Sequence, residues 1–252
     1  QVSNTPGGND FVQVSAGSNH SVALKSDGSL ASWGINGYNQ VSDTPSGNDF
    51  IWVSGGGSHS VALKSDGSLV SWGRDYSGVV TDTPNSNDFI WVSGGGSHSV
   101  ALRSDGSLAS WGSDFSGLVS NTPNSNDFIW VSAGGSHSVA LRSDGSLASW
   151  GSDWGGQVTD TPLTNDFIQV SGGGTHSVAL RLDGSLASWG GDGQGQVSGT
   201  PTSNDFIQAA AGNWHSVALK SDGSLASWGF DWDGQVADTP LTNDFIQASA
   251  GY

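Results

Sequence analysis

The sequence predicts an all-β fold, a β-propeller, in which one short unit is repeated along the chain. Six histidines follow one another at intervals of 39 residues, and the tryptophans of the Ser-Trp-Gly motif keep the same interval. A strict period of this length means that one supersecondary unit is copied head to tail, as a solenoid or as a ring of blades. The composition favours strands and turns, because there are 39 glycines, no methionine, and 23 acidic residues that are all aspartate.

One unit, from Gln40 to Val79, shows the predicted elements in order. Residues 49–54 form a first strand, and residues 59–64 alternate between apolar and small polar side chains as a second strand does. Asp66-Gly67 predicts a two-residue hairpin turn, because glycine tolerates the positive φ that such turns need. Residues 68–73 are the return strand, and residues 79–81 are a short fourth strand. Three or four short strands in about 40 residues are typical of a propeller blade.

These units resemble the repeat of the family named for the regulator of chromosome condensation. The resemblance is carried by the glycine run that leads into His-Ser-Val-Ala-Leu, by the Asp-Gly turn and by Ser-Trp-Gly. In the unit above these motifs are residues 55–63, 66–67 and 71–73, and all six full units carry them. Bacterial members with Trp-Gly at this point, such as the β-lactamase inhibitor protein of this fold, are closest in style. The resemblance implies a seven-bladed β-propeller.

The chain departs from a whole number of repeats. Residues 235–252 repeat residues 1–18, so there are seven copies of the Asn-Asp-Phe strand but six of the hairpin that follows it. We interpret residues 1–252 as a single repeat array. Either the ring has six blades and a spare segment, or it has seven positions with one blade incomplete, and we favour the second. An incomplete blade exposes strand edges, which favours self-association with a second chain.

Charge and composition exclude several classes of partner. The net charge of -16 and the pI near 4.2 disfavour nucleic acid, which is bound through lysine and arginine. No segment approaches the roughly 18 apolar residues of a membrane helix, so we expect no membrane insertion. The absence of cysteine is compatible with any compartment, whereas the acidic surface and the polar loops suggest an extracellular or cell-surface location. Six of the seven basic residues share one phase of the repeat and are predicted to lie at solvated strand ends: Lys25, Lys64, Arg103, Arg142, Arg181 and Lys220.

The histidines are the obvious candidates for metal or acid–base chemistry, but their spacing argues against it. One histidine per blade places neighbouring imidazoles roughly 10 Å apart, the packing distance of stacked sheets, whereas zinc ligands lie about 2 Å from the metal. We therefore predict a structural role, with each imidazole hydrogen-bonded to backbone between blades. We expect no catalytic residues, no metal site and no cofactor, and we do not interpret the protein as an enzyme. The six are His20, His59, His98, His137, His176 and His215.

The loops that follow Trp-Gly differ between units and are the candidate binding surface. We call residues 35–38, 74–77, 113–116, 152–155, 191–194 and 230–233 the variable loops. Equivalent loops lie on one rim of a propeller, and aromatic side chains there suit a protein partner or, as an alternative, a glycan. The other alternative is that these rings pack on the neighbouring blade. The candidate binding residues are Tyr38, Tyr76, Phe115, Trp154 and Trp232, with the aspartates Asp75, Asp114, Asp153 and Asp231.

A second variable position holds tryptophan in three consecutive units. Trp52, Trp91 and Trp130 stand where the other copies carry glutamine, as in Gln13 and Gln169. We interpret this set as a possible contact patch, with packing inside the fold as an equal alternative. Together these features predict a non-enzymatic interaction module that binds a protein partner. The alternatives are a lectin-like glycan binder and a structural subunit that assembles through its incomplete blade.

Overall fold

The computed structural model describes residues 4–251 and contains six three-stranded antiparallel sheets in that range. The chain divides into two compact units, residues 1–127 and residues 128–252, which are described separately. The first unit contains β1 Phe11–Ala16, β2 His20–Lys25, β3 Leu30–Gly34, β4 Phe50–Gly55, β5 His59–Lys64, β6 Leu69–Gly73, β7 Phe89–Gly94, β8 His98–Arg103, β9 Leu108–Gly112 and a 3-10 turn, Phe115–Gly117. The second contains β10 Phe128–Ala133, β11 His137–Arg142, β12 Leu147–Gly151, β13 Phe167–Gly172, β14 His176–Arg181, β15 Leu186–Gly190, β16 Phe206–Ala211, β17 His215–Lys220 and β18 Leu225–Gly229.

Each sheet is a meander whose middle strand is the His-Ser-Val-Ala-Leu segment. In the second sheet, β5 pairs with β4 on one side and with β6 on the other. The register shifts between Phe50 and Trp52, which is a β-bulge near the start of β4. The three predicted strands of this repeat are confirmed to within one residue at each end, which is inside the usual uncertainty of strand boundaries.

The hairpin turn is one residue longer than predicted. The amide of Gly67 donates to the carbonyl oxygen of Lys64 at 3.0 Å, and the amide of Lys64 donates to the carbonyl of Ser68 at 2.9 Å. Residues 65–67 therefore form a three-residue loop, with Gly67 at φ 84°. This is a type I turn followed by a left-handed glycine, the common three-residue hairpin.

The predicted fourth strand at residues 79–81 is wrong, because this segment is a turn. The amide of Asp82 donates to the carbonyl oxygen of Gly78 at 2.9 Å, as in a helical turn. The amides of Val80 and Thr81 donate to Oδ1 of Asp75 at 2.9 and 3.3 Å. With its amides engaged locally, the segment cannot donate to a sheet ladder.

The core lies between consecutive sheets of each unit. Between the first and second sheets, Val22 and Leu24 of β2 contact Phe50 and Val53 of β4, and Trp72 of β6 completes the cluster. The same arrangement recurs between the second and third sheets, the fourth and fifth, and the fifth and sixth. Each sheet thus has one face of valine and leucine and an opposite face of phenylalanine, valine, alanine and tryptophan, and the two kinds of face pack against each other.

Residues 230–251 of the second unit contain no strand. They nevertheless contact the sixth sheet as the first strand of a further sheet would. The amide of Phe245 donates to the carbonyl of Gly223 at 3.2 Å, and the amide of Ala248 donates to Oε1 of Gln208 at 2.9 Å. The seventh Asn-Asp-Phe segment is therefore placed like its copies but lacks a hairpin to pair with, and Ile246 remains 94% exposed. The favoured seven ring positions and the 39-residue blade size stay predictions.

Candidate functional site

Each variable loop is held by a single carboxylate or amide oxygen. Oδ1 of Asp114 accepts hydrogen bonds from the amides of Val119 and Ser120 at 2.9 and 2.8 Å. Asn36 does the same in the first loop, with the amides of Val41 and Ser42 at 2.9 and 3.0 Å. The oxygen thus satisfies two amides in the first turn of a helical segment that begins after the loop, although the residue that supplies it lies five residues earlier in the chain and is not the N-cap itself. Matching pairs of bonds are made by Asp75, Asp153, Asp192 and Asp231.

The loop aspartates predicted as binding residues therefore have a structural task. Hydrogen bonds from the Ser120 and Val119 amides hold the pKa of Asp114 below its usual range, and the Ala237 and Val236 amides do the same for Asp231. The side chains of both residues are exposed. Their oxygens orient the loop, and the residue that follows each aspartate is the one that points outward.

The five aromatic side chains predicted as binding residues are all exposed to solvent. The exposed fraction is 49% for Tyr38, 54% for Tyr76, 62% for Phe115, 85% for Trp154 and 86% for Trp232. Phe115 begins the short 3-10 turn, and Trp232 makes an edge contact with Phe230 at 6.1 Å between ring centroids. Fully packed rings would be buried, as Trp72 and Trp111 are. The alternative that these five rings serve only to pack on neighbouring sheets is thus disfavoured.

Buried glutamines hold the C-terminal end of the loops, a feature that was not predicted from the sequence. Oε1 of Gln157 accepts a hydrogen bond from the amide of Gly155 at 2.8 Å, while its carbonyl oxygen accepts one from Nε1 of Trp189 at 3.1 Å. The same glutamine links a loop to the core tryptophan of the next sheet. Its signal was visible in the sequence, since glutamine recurs at this phase as Gln40, Gln157, Gln196 and Gln235.

The tryptophan set proposed as a contact patch lies partly inside the fold. Trp52 and Trp91 lie with their ring centroids 3.9 Å apart, and Nε1 of Trp52 donates to the carbonyl oxygen of Val92 at 3.2 Å. Trp130, in the second unit, is half-buried against a core cluster. Gln13 uses its amide for the same purpose, since it bonds both the amide and the carbonyl oxygen of Val53. The geometry favours packing between sheets over a free surface for this set.

Five of the six histidines are buried, His215 is half-buried, and the partner seen for four of them differs from the predicted one. Nε2 of His59 lies 2.8 Å from Oγ of Ser99, and His20, His137 and His176 face Ser60, Ser177 and Ser216 in the same way. The partner is thus a serine side chain of the next sheet and not backbone. Burial lowers the pKa of His59 and of His20 to about 4, so both imidazoles are neutral at pH 7. A Cβ on Gly56 would collide with the His59 ring, which explains the glycine there.

The basic residues that share one phase pair with the aspartate of Asn-Asp in their own repeat. Lys64 Nζ lies 3.2 Å from Asp49, and Arg181 Nη1 lies 2.7 Å from Asp166. The same pairing joins Lys25 with Asp10, Arg103 with Asp88, and Lys220 with Asp205. Each cation also lies over the phenylalanine ring that follows its aspartate. These side chains lie at the ends of the first two strands of each sheet. Because the cations are paired, they leave little positive charge for a ligand.

Residues 4–251 contain neither a metal-binding group of side chains nor a membrane-spanning helix. In that range no group of three or more histidine, cysteine, aspartate or glutamate side chains is arranged to hold a metal ion. The same stretch includes no helix with the length and apolarity needed to cross a bilayer.

The fold and the repeated motifs define the class of protein. A family model described as the regulator of chromosome condensation (RCC1) repeat matches residues 11–40, 53–79, 92–117, 131–157, 167–196 and 206–235. These matches span more than half of the chain, which therefore belongs to the RCC1 repeat family. Its fold is an all-β, RCC1-type β-propeller fold with six repeats, each a three-stranded sheet. No curated protein matches the chain in sequence.

Solved structures with the same fold come from several organisms. The CRINKLY WD40 ectodomain of the receptor kinase ACR4 from Arabidopsis thaliana has a TM-score of 0.77 and 21% identity, over 96% of this chain and 90% of that one. Prp20p from Saccharomyces cerevisiae has a TM-score of 0.77 and 20% identity, over 96% and 80%. Human WBSCR16 has a TM-score of 0.77 and 19% identity, over 98% and 85%. Prp20p has binding properties towards Gsp1p and histones, and it has also been crystallised bound to Kap60.

Proposed function

We propose that this protein is a non-enzymatic interaction module that binds a protein partner through the variable loops. The observation that carries the proposal is the outward exposure of Tyr38, Tyr76, Phe115, Trp154 and Trp232. Large aromatic side chains are enriched among the residues that dominate protein interfaces. Proteins of the same fold, such as yeast Prp20p, bind protein partners.

The loop architecture supports this proposal. An aspartate and a buried glutamine hold the backbone of a loop by hydrogen bonds, as Asp153 and Gln157 do around Trp154. A rigid loop loses little conformational entropy on binding, so that an exposed ring on it is an efficient anchor. The scaffold repeats while the loop sequence changes, which is how a binding surface is diversified without altering the fold.

The test compares two aromatic loop residues with an apolar residue elsewhere on the second unit. Trp154→Ala and Trp232→Ala remove aromatic rings that are 85% and 86% exposed, and Leu182→Ala removes an aliphatic side chain that is 77% exposed in a hairpin turn. Each variant is immobilised, and the proteins that it retains from an extract of the source organism are identified by mass spectrometry. A partner retained by the wild type and by Leu182→Ala, but lost by the tryptophan variants, supports the proposal. Equal retention by all variants contradicts it.

A glycan ligand is the alternative use of the same surface. The wild type and the Trp154→Ala variant are applied to a glycan array. Aromatic rings also stack on sugars. Binding to a defined sugar that is lost in the variant would therefore indicate that the ligand is a carbohydrate and not a protein.

Self-association is the second candidate, and a specific observation favours it. Val14 of β1 is 58% exposed, whereas its counterparts Val53 and Val92 are fully buried. The backbone of residues 245–250 also has no strand partner in the described part of the second unit. Apolar faces and unpaired strand backbone both favour pairing with another chain. Mass measurement in solution tests this, since the monomer has a mass of 25.7 kDa.

We also propose an extracellular or cell-surface location. Support comes from the acidic, cysteine-free composition and from the similarity to a receptor ectodomain. Antibody labelling of intact cells of the source organism tests it, with permeabilised cells as the control. Labelling only after permeabilisation places the protein inside the cell.

A further inference from the structure

Arg74 differs from the other basic residues of the chain. The other six basic residues lie at the end of β5 or of its equivalent strands, whereas Arg74 lies in a variable loop. Within residues 4–251 its guanidinium has no carboxylate partner, in contrast to Lys64 with Asp49 at 3.2 Å. Asp75, its neighbour in sequence, directs Oδ1 to the amides of Val80 and Thr81. Arg74 is therefore an exposed cation on a protein of net charge -16.

Two tyrosines hold this cation. The Cζ atom of Arg74 lies 4.4 Å from the ring centroid of Tyr38 and 5.4 Å from that of Tyr76. The rings belong to two consecutive variable loops, and both are about half exposed. A guanidinium that stacks on aromatic rings keeps the N–H donors at its edge free, and its fork matches the two oxygens of a carboxylate or phosphate. Stacking also limits the entropy that the arginine loses when it binds.

An open cleft adjoins the cation. It has a volume of about 340 Å³ and is lined by Arg74, Tyr76, Val79, Ser58 and Ser97, with His59 at its base. Ser58 and Ser97 contribute polar groups to the same lining, and Val79 supplies an apolar surface. The cleft thus combines one positive charge, neutral hydrogen-bonding groups and apolar area, which is a typical composition for a site that fixes one anionic group of a larger ligand.

We propose that Arg74, Tyr38 and Tyr76 form a clamp for an oxyanion carried by a peptide segment of the partner. The inference rests on the proposed function and names the chemistry that one part of the surface recognises. The strongly negative protein repels a polyanion, so the clamp suits a single carboxylate or phosphate in a peptide that is otherwise neutral. No other variable loop has arginine at this position: its counterparts are Ile35, Ser113, Ser152, Gly191 and Phe230.

The chain supplies a loss-of-function variant that is expected to fold. Arg74→Ser installs the residue that the third and fourth repeats carry at this position, Ser113 and Ser152, so the loop keeps a native sequence type.

The experiment uses three capped peptides in which the central residue of a glycine pentamer is aspartate, phosphoserine or asparagine. Binding is followed in the full chain by the NMR signals of the Arg74 Nε–H group and of the Val79 backbone amide, the second of which is present in both the wild type and the Arg74→Ser variant. We expect the Arg74 signal to shift with aspartate or phosphoserine but not with asparagine. We expect Arg74→Ser to weaken peptide binding, measured at the Val79 amide, by about 10-fold or more. A response to aspartate alone assigns a carboxylate, and a response to phosphoserine alone assigns a phosphate.

Three results would overturn the clamp: no shift with either anionic peptide, an equal shift with asparagine, or unchanged affinity in Arg74→Ser. These results leave the proposed function intact if a partner is still lost on Trp154→Ala. If no loop variant loses the partner but the Arg74 signal still shifts, the proposed function is wrong and the anion site remains. The two failures are therefore distinguishable.

Discussion

The first and second sheets carry the same residues on the same face, but only the second sheet has that face covered. Val53 of β4 is fully buried beneath Val22 and Leu24 of β2, whereas the equivalent Val14 of β1 is 58% exposed. Trp72 is 3% exposed, while its counterpart Trp33 is only half-buried. The comparison teaches that the repeat motif defines which side chains are able to form a core. The neighbouring sheet decides whether they do.

The largest loss of stability is expected when a charge is placed on the covered face of the second sheet, compared with the same charge on the equivalent, uncovered face of the first sheet. Val53→Asp puts a carboxylate into an apolar cluster and should cost about 4 kcal/mol or more of the free energy of unfolding. Val14→Asp should cost less than about 1 kcal/mol, because water can solvate the new charge. Urea unfolding followed by circular dichroism measures both. Equal destabilisation by the two variants would mean that the first face is covered in solution, as self-association requires, and the mass of Val14→Asp should then fall to that of the monomer.

The histidines test the opposite, covered face of the first two sheets. The pKa values of His20 and His59 are about 4 in the folded chain, against about 6.5 when unfolded. Because the unfolded state binds protons first, stability is complete above pH 6.5 and is lost as the pH falls towards 4. Each buried histidine should account for about 3 kcal/mol over this range. Unfolding free energies between pH 7.5 and 4.5 should fall less steeply in His59→Ala, and an unchanged slope would contradict the assignment.

A smaller effect distinguishes the two ways in which sheets are joined at the bulged strand. Trp52 stacks on Trp91, whereas Gln13 bonds both backbone groups of Val53. Trp52→Ala removes the ring and should cost about 2–3 kcal/mol, while Trp52→Gln should regain backbone hydrogen bonds and cost about 1 kcal/mol. Thermal unfolding of the two variants measures the difference. If glutamine is no better than alanine, the equivalence of the two positions fails.

The smallest effect concerns the loop caps of the first two repeats. Asn36 and Asp75 accept equivalent pairs of amide hydrogen bonds. Asp75→Asn should therefore be nearly neutral, whereas Asp75→Ala should cost about 1 kcal/mol and loosen the loop. Hydrogen exchange at the Val80 and Thr81 amides reports the loosening directly. Faster exchange in the asparagine variant as well would show that the charge is needed in addition to the hydrogen-bond acceptor.

Much of the fold was predictable because its signals are local or periodic. The alternation in residues 59–64 and the Asp-Gly turn define the hairpin within a single unit. The serine that faces each histidine could also have been predicted, since a fixed period places Ser99 40 residues after His59. The family likeness added the propeller class, although the further likeness to the bacterial inhibitor protein stays a prediction.

The rest of the site depends on contacts between loops that share no local pattern. The segment at residues 79–81 is apolar and β-branched like a strand, but capping by Asp75 stabilises a turn instead. The stacking of Arg74 between Tyr38 and Tyr76 joins two loops whose relative position only the packed sheets define. Side-chain exposure depended on neighbours in the same way, as the contrast between Trp52 and Trp154 shows.

Polar contacts between sheets run from residue i to residue i+40, as for His20 with Ser60, Gln13 with Val53 and Ser15 with Gly55. Within each compact unit, a repeat therefore contributes one half of such a contact and the next repeat contributes the other half. A 39-residue window can be deleted or duplicated from any starting point, and the new junction still brings the same pairs together. Gene-level recombination can thus change the number of units without inventing a new interface, while point mutation alters the variable loops. Length and binding preference can evolve independently in such a chain.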